Sequence, residues 1–192
     1  MSKFELTENP SILFQKNVLA TDIEVFGLKL FDSCDLLNIE AVDSITLEKA
    51  PTGVTQLFEG DGKSWHYRLN GQKMEFTFED RYKSVIAWGG CLHLKNNISL
   101  VIDERKIVGI RIYCRIFNFY SDIKKGEIEI LLGKADKTEE FYFEEDDALA
   151  STRFIFEKKF IAVEFDDYSD KKIDGVFLGK FPFILSRTQN YR

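Results

Sequence analysis

Two histidines, His66 and His93, are the side chains best suited to act as bases near neutral pH. Catalysis or metal binding by imidazole also requires a nucleophile, a carboxylate or further ligands at a suitable spacing. His66 stands between Trp65 and Tyr67, and His93 stands between two leucines. Because neither lies in a nucleophile or metal motif, we interpret both as structural residues of a sheet.

Two other patterns associated with chemistry fail on their spacing. Residues 60–63 read Gly-Asp-Gly-Lys, but a phosphate-binding Walker loop has its glycines further apart and leads into a helix, whereas a strand is predicted here. The cysteines Cys34, Cys91 and Cys114 are far apart, with no CxxC pair and no adjacent histidine. The segment 60–63 is therefore predicted to be a simple loop. The three cysteines are predicted to be reduced, buried thiols.

Paired carboxylates are the remaining candidates for catalysis. If Glu75 and Glu79 share one strand, the usual rise places them about 13 Å apart, which is too far for most two-carboxylate chemistry. The acidic run at 144–147 does not have the alternating ligands and central glycine of a calcium-binding EF-hand loop. We therefore predict a protein that is not an enzyme and that uses no metal or cofactor.

Negative charge is concentrated between residues 136 and 170. This segment has twelve acidic residues and four basic residues, a net charge of −8, whereas the whole chain has −6. Such asymmetry attracts a protein with a basic surface and repels nucleic acid. The alternative is that these acidic turns only keep an aromatic-rich sheet soluble. The predicted partner-binding residues are Tyr142, Glu144, Glu145, Asp146, Asp147, Asp166, Asp167, Tyr168 and Asp170.

The elements that would position these residues are mostly strands, since eighteen Phe, seven Tyr and two Trp are typical of half-buried pleated sheet. Met74, Phe76 and Phe78 alternate with polar residues, which predicts a strand. The segment 64–69 is predicted to be a second strand. The two strands should form a hairpin, because Asn70-Gly71 between them suits a two-residue turn. A third strand is predicted over 82–88, ending at Gly89-Gly90.

The second half of the chain adds a helix and more strands. Ile128, Leu131 and Leu132 form an i, i+3, i+4 stripe that predicts a helix over 122–132, closed by Gly133. An internal echo of this segment over 28–37, which also ends in Leu-Leu, raises the alternative of two similar helix-then-sheet halves. Further strands are predicted over 98–103, 106–119, 139–144, 151–157, 160–166 and 173–178.

These elements predict an α+β fold, a mostly antiparallel sheet with one or two short helices packed on it. We expect a single compact domain over 1–192, the alternative being two subdomains over about 20–120 and 121–186. The first ten residues do not form the apolar core of a secretory signal, and the chain has no apolar run of about eighteen residues. The sequence therefore predicts a cytoplasmic protein without a membrane span.

In these general features the chain resembles bacterial immunity proteins of polymorphic toxin and contact-dependent inhibition systems, which are small, acidic, strand-rich and non-catalytic. The segment 127–178, with its Ile-Leu-Leu-Gly-Lys element before aromatic strands, also resembles the helix-plus-sheet unit of β-lactamase-inhibitor-like folds, although Ala135 stands where those folds commonly have proline. The first resemblance implies that an acidic, partly aromatic face covers the basic active-site cleft of a cognate toxin. The alternative function is a small apolar ligand held on a concave aromatic sheet face.

Overall fold

The computed structural model describes residues 4–6, 10–15, 17–47, 54–58, 65–69, 72–113, 123–143, 148–169 and 172–180. The chain divides into two compact units. Unit 1 comprises Met1–Asp32 and Gly109–Arg192, and unit 2 comprises Ser33–Val108. None of the helices in these described ranges is long and apolar enough to span a membrane.

Thirteen strands and two α-helices make up the regular structure of the described residues. The strands are β1 Phe4–Glu5, β2 Ile23–Glu24, β3 Val42–Leu47, β4 Val54–Phe58, β5 Trp65–Leu69, β6 Gln72–Phe76, β7 Gly90–Leu94, β8 Ile98–Asp103, β9 Lys106–Tyr113, β10 Lys137–Tyr142, β11 Leu149–Phe156, β12 Ile161–Asp166 and β13 Ile173–Gly179. The helices are α1 Phe78–Trp88 and α2 Lys125–Leu132.

Eight of these strands form one antiparallel sheet in the order β10-β11-β12-β13-β9-β8-β7-β3. The three strands β4, β5 and β6 form a separate small sheet, and β1 pairs with β2 in parallel. A mostly antiparallel sheet with two short helices confirms the predicted α+β class. The predicted hairpin is also confirmed, because Leu69 pairs with Gln72 across a two-residue connection.

The predicted strand over 82–88 is wrong, since these residues belong to α1. The start of the helix is fixed by a capping box, in which the Thr77 hydroxyl accepts from the Asp80 amide and the Asp80 carboxylate accepts from the Thr77 amide, both at 3.1 Å. Gly89 ends the helix at φ 95°, a conformation that favours glycine. The alternating aromatics therefore stop at Phe76, and Phe78 is already helical.

Two other expectations change with this helix. Glu79 lies in α1, where it pairs with Lys83 at 2.6 Å, so Glu75 and Glu79 do not share a strand. The segment 28–37 contains a short 3-10 turn at Cys34–Leu36 and no α-helix. The helix that precedes strands β7 to β9 is α1, and the one that precedes β10 to β13 is α2.

The predicted second helix is confirmed as α2, although it starts at Lys125 and has about two turns. Ile128 and Leu132 are buried one turn apart, as the stripe predicts, and Gly133 closes the helix at φ 92°. Lys125 donates to Thr152 of β11, which places α2 over the sheet face that carries Thr152. Both faces of β11 are buried, with Phe154 and Phe156 on the Thr152 side and Ile155 on the other.

The four strands after α2 follow the predicted segments closely. A 3-10 turn at Glu157–Lys159 joins β11 to β12, as the Glu-Lys-Lys corner suggests. The register between β12 and β13 shifts at Asp174, because Glu164 lies opposite Gly175 and the next residue, Phe165, lies opposite Ile173. Strand β9 is described to Tyr113, and the remainder of the predicted 106–119 strand lies outside the described residues.

Candidate functional site

Three exposed aromatic side chains mark one end of the sheet in unit 1. Tyr142 ends β10 and is 49% exposed, Phe143 follows it at 37%, and Tyr168 lies after β12 at 61%. The rings of Phe143 and Tyr168 meet edge to face, with centroids 4.9 Å apart. We call these three residues the aromatic patch. They lie within the most acidic segment of the chain.

Backbone hydrogen bonds hold the strand connections that carry the patch. The Phe143 amide donates to the Ala148 carbonyl at 2.9 Å, which closes the base of the β10–β11 connection. The Asp167 amide donates to the Ala150 carbonyl at 3.0 Å, which ties the end of β12 to the start of β11. Phe143 and Tyr168, 25 positions apart in the sequence, are thereby brought together.

Asp166 shapes the turn that presents Tyr168. Its carboxylate accepts from the backbone amides of Tyr168 and Ser169, each at 2.9 Å, and also from the Ser169 hydroxyl. Its own amide donates to the Lys172 carbonyl at 2.8 Å. The Asp166 carboxylate is therefore an Asx-type cap of the β12–β13 turn.

The Asp167 carboxylate makes its contacts inside unit 1 and is mostly shielded from solvent. One oxygen lies 2.7 Å from the Lys125 ammonium, and the other accepts from the Thr152 hydroxyl at 2.6 Å. Lys125 also donates to that hydroxyl at 2.6 Å, which closes a triangle between α2, β11 and the end of β12. Only 12% of the Asp167 side chain is exposed, so its carboxylate mainly anchors the helix to the sheet.

Replacing these two carboxylates is expected to affect stability more than binding. Asp167→Ala should lower the free energy of unfolding by about 2 kcal/mol, because it leaves the partly buried Lys125 ammonium without its anion. Asp166→Ala should cost about 1 kcal/mol through the lost turn cap. Urea denaturation of each variant measures both values. A cost below about 0.3 kcal/mol for both would contradict this assignment.

Two of the partner-binding residues predicted from the sequence, Tyr142 and Tyr168, belong to the aromatic patch. Asp166 and Asp167 form hydrogen bonds that hold the turn and the helix next to it. Glu144, Glu145, Asp146, Asp147 and Asp170 lie outside the described residues. The sequence reasoning missed Phe143, although its position between Tyr142 and an acidic run was a signal. Tyr142 also donates to Glu140 at 2.6 Å, and this hydrogen bond raises the pKa of Tyr142 above its ordinary value.

The opposite face of the same strands carries a buried arginine, Arg153. Only 3% of its side chain is exposed, and its guanidinium lies 2.8 Å from Glu164 and 3.5 Å from Glu139. It also lies over the Phe141 ring, 4.6 Å from the ring centroid. These contacts follow from the register, because Arg153 pairs with Glu139 on one side and with Glu164 on the other.

Phe177 on β13 lies between two such cations. Its ring centroid is 5.3 Å from the Arg153 guanidinium carbon and 4.9 Å from that of Arg111, which also stacks on Tyr113 at 4.3 Å. Phe177 is fully buried and packs with Ile155 and Ala162. The aromatic side chains on this face are therefore packed against arginines and core residues of the chain itself.

The candidates for catalysis lie in unit 2. His93 bridges the Ser99 hydroxyl at 2.7 Å and the Thr46 hydroxyl at 3.2 Å, and so links the neighbouring strands β3, β7 and β8. Burial, followed by the charge of Asp35, raises the pKa of the Cys34 thiol to about 11, which keeps this thiol protonated and poorly nucleophilic at neutral pH. Cys34 and Cys91 are buried free thiols, as predicted, and Cys114 lies outside the described residues.

Within the described ranges, no group of three or more His, Cys, Asp or Glu side chains is placed to hold a metal ion. Phe143 and Tyr168 are exposed aromatic side chains that contact each other, so we take the aromatic patch as the candidate site. In comparisons with known proteins, the chain matches no family model, no curated protein and no solved structure.

Proposed function

We propose that this chain is a non-catalytic binding protein that recognises a protein with a basic surface through the aromatic patch. The observation that carries the proposal is the exposed Phe143–Tyr168 ring pair, held by backbone bonds within the segment of strongest negative charge. Protein interfaces commonly combine a few aromatic anchors with a charged rim that is accessible to solvent.

The supporting carboxylates favour this assignment of roles. Asp166 and Asp167 form hydrogen bonds inside the chain, so they hold Tyr168 and α2 in place and leave the rings to make the contact. The acidic run over 144–147 joins Phe143 to Ala148 in the sequence and supplies four negative charges next to a patch residue. Charge of this kind mainly raises the rate of encounter with a basic partner.

The partner class that best fits these features is a toxin with a basic substrate cleft, such as a nuclease. In that case the chain acts as an immunity protein, and the patch with its acidic rim covers the cleft so that substrate cannot enter. This function requires no catalytic group of its own, and the mechanism is occlusion.

Neutralising the acidic run tests the electrostatic part of the proposal. Changing Glu144, Glu145, Asp146 and Asp147 to the corresponding amides should lower the association rate with the purified partner about tenfold at low salt and should reduce its salt dependence. Stopped-flow measurements at several ionic strengths give both quantities.

A matched control removes the same number of charges elsewhere. In unit 2 the exposed residues Glu40, Asp43, Glu79 and Glu104 can be converted to amides, which gives the same net charge. If this control slows association as much as the first variant does, the field of the whole chain is responsible and the acidic run has no special role.

A further inference from the structure

Strand β10 stands at one end of the eight-stranded sheet and carries the first residue of the aromatic patch. Within the described part of the chain it pairs with β11 alone, so one edge of its backbone faces away from the sheet. It is six residues long, and its even-numbered residues, Thr138, Glu140 and Tyr142, are all exposed. An open edge of this kind is a template for pairing with another strand.

The strand at the other end of the sheet, β3, is less suitable as a template. The carbonyl of Ile45 in the middle of β3 accepts a hydrogen bond from the buried guanidinium of Arg81 in α1. The extra residue in the β3–β7 register is Asp43 of β3 itself, whereas the extra residue in the β10–β11 register is Ala150 of β11. An interrupted strand with a carbonyl already in use offers fewer consecutive backbone groups to an incoming strand.

The charges on β10 select against self-association. If two copies paired their β10 strands antiparallel about a two-fold axis, in the registers closest to full overlap, Glu139 or Glu140 of one copy would lie opposite the same residue of the other. Like charges directly opposite each other destabilise a strand pair. Glu139 is partly neutralised by contacts with Lys137 and Arg153, whereas Glu140 contacts only the neutral Tyr142 hydroxyl among the side-chain pairs described. The edge thus favours a basic strand over a second copy.

We propose that β10 binds an extended basic segment of the protein partner by strand addition, with the partner's Lys or Arg side chains opposite Glu140. This inference rests on the proposed function, because it assumes that the protein bound at the aromatic patch also has a segment that pairs with β10. Main-chain hydrogen bonds supply the contact, and the Glu140 side chain supplies the preference for basic sequence. Tyr142 is shared by the patch and the strand, and so connects the two parts of the surface.

A synthetic peptide can test strand addition without the natural partner. The probe is the capped hexapeptide Thr-Lys-Val-Lys-Val-Thr, added to the full-length, isotope-labelled chain. Amide shifts and hydrogen exchange are followed by NMR. We expect shifts and slowed exchange concentrated in residues 137–142. A peptide with the same side chains but with every interior backbone nitrogen methylated should bind at least tenfold more weakly, since it cannot pair.

Two protein variants complete the test. Glu140→Gln should weaken binding of the hexapeptide about threefold or more, whereas Glu104→Gln in the exposed β8–β9 turn should leave it unchanged. Equal binding of the methylated and unmethylated peptides, or no effect of either on β10, would overturn strand addition. The proposed function is tested separately, by the affinity of the protein partner for variants of the aromatic patch. Strand addition and binding through the patch can therefore fail independently.

Discussion

Arg153→Ala is expected to lower the free energy of unfolding by about 3 to 5 kcal/mol, one of the largest effects of a single substitution in this chain. The guanidinium is almost fully buried, so its removal leaves the Glu164 carboxylate without this cation and leaves Glu139 with the more exposed Lys137. It also removes the stacking on Phe141 and Phe177. Urea denaturation followed by circular dichroism measures the loss.

The chain offers a matched control at nearly the same distance. The Arg105–Asp35 ion pair is 2.7 Å long, but both side chains are more than 60% exposed. Arg105→Ala should therefore cost less than about 1 kcal/mol, since solvent and salt screen an exposed pair. Similar costs for the two arginines would contradict the view that burial makes the Arg153 contacts important.

If Arg153→Ala does not fold, two other variants can still test how much the buried Arg153 contacts contribute to stability. Arg153→Lys keeps the charge and loses the planar group, so an intermediate cost is expected. Arg153→Met combined with Glu139→Gln and Glu164→Gln removes the charges together. This triple variant should be more stable than Arg153→Met alone, because no uncompensated carboxylate remains.

The second large effect concerns binding. The double variant Phe143→Ala, Tyr168→Ala should weaken the complex with the proposed basic partner by at least a hundredfold, since each ring is expected to contribute about 1.4 kcal/mol or more as an interface anchor and every 1.4 kcal/mol is tenfold. Both rings are exposed, so the stability of the free chain should change by less than about 1 kcal/mol. Titration calorimetry with the purified partner measures the affinity, and thermal unfolding measures the stability.

The single replacement Phe78→Ala provides the comparison for Phe143→Ala. Phe78 is 40% exposed and Phe143 is 37% exposed, but Phe78 begins α1 in unit 2. Removing it should leave the affinity unchanged. An equal loss of affinity from both replacements would mean that exposed phenylalanines contribute without regard to position, and the patch would have no distinct role.

Much of the fold of unit 1 could be predicted because its signals are local. The segments of β10 to β13 are rich in apolar residues and are separated by turns. The apolar stripe of α2 and the glycine that closes it lie within the six residues from Ile128 to Gly133. The sequence pattern predicts a strand at the start of α1 because Met74, Phe76 and Phe78 continue a period of two across the helix start. The better signal was Thr77 followed by Asp80, whose two hydrogen bonds form the capping box.

The candidate site was predictable in composition but not in detail. Tyr142, Tyr168 and the acidic residues stand out in the sequence by type and density alone. The roles of Asp166 and Asp167 depend on contacts that no local pattern contains, since Lys125 lies 42 positions before Asp167 and Thr152 lies 15 before it. The Phe143–Tyr168 ring pair likewise exists only once the two strand connections meet.

Binding through the aromatic patch can be tested with three baits in one capture experiment from the native host at low salt. The baits are the wild-type chain, the Phe143→Ala, Tyr168→Ala variant, and Phe78→Ala, with quantitative mass spectrometry of the bound proteins. We expect one basic protein to be enriched equally by the wild type and Phe78→Ala, to be released by salt, and to be lost from the patch variant. Equal capture by all three baits, or capture of no basic protein by the wild type, would contradict it.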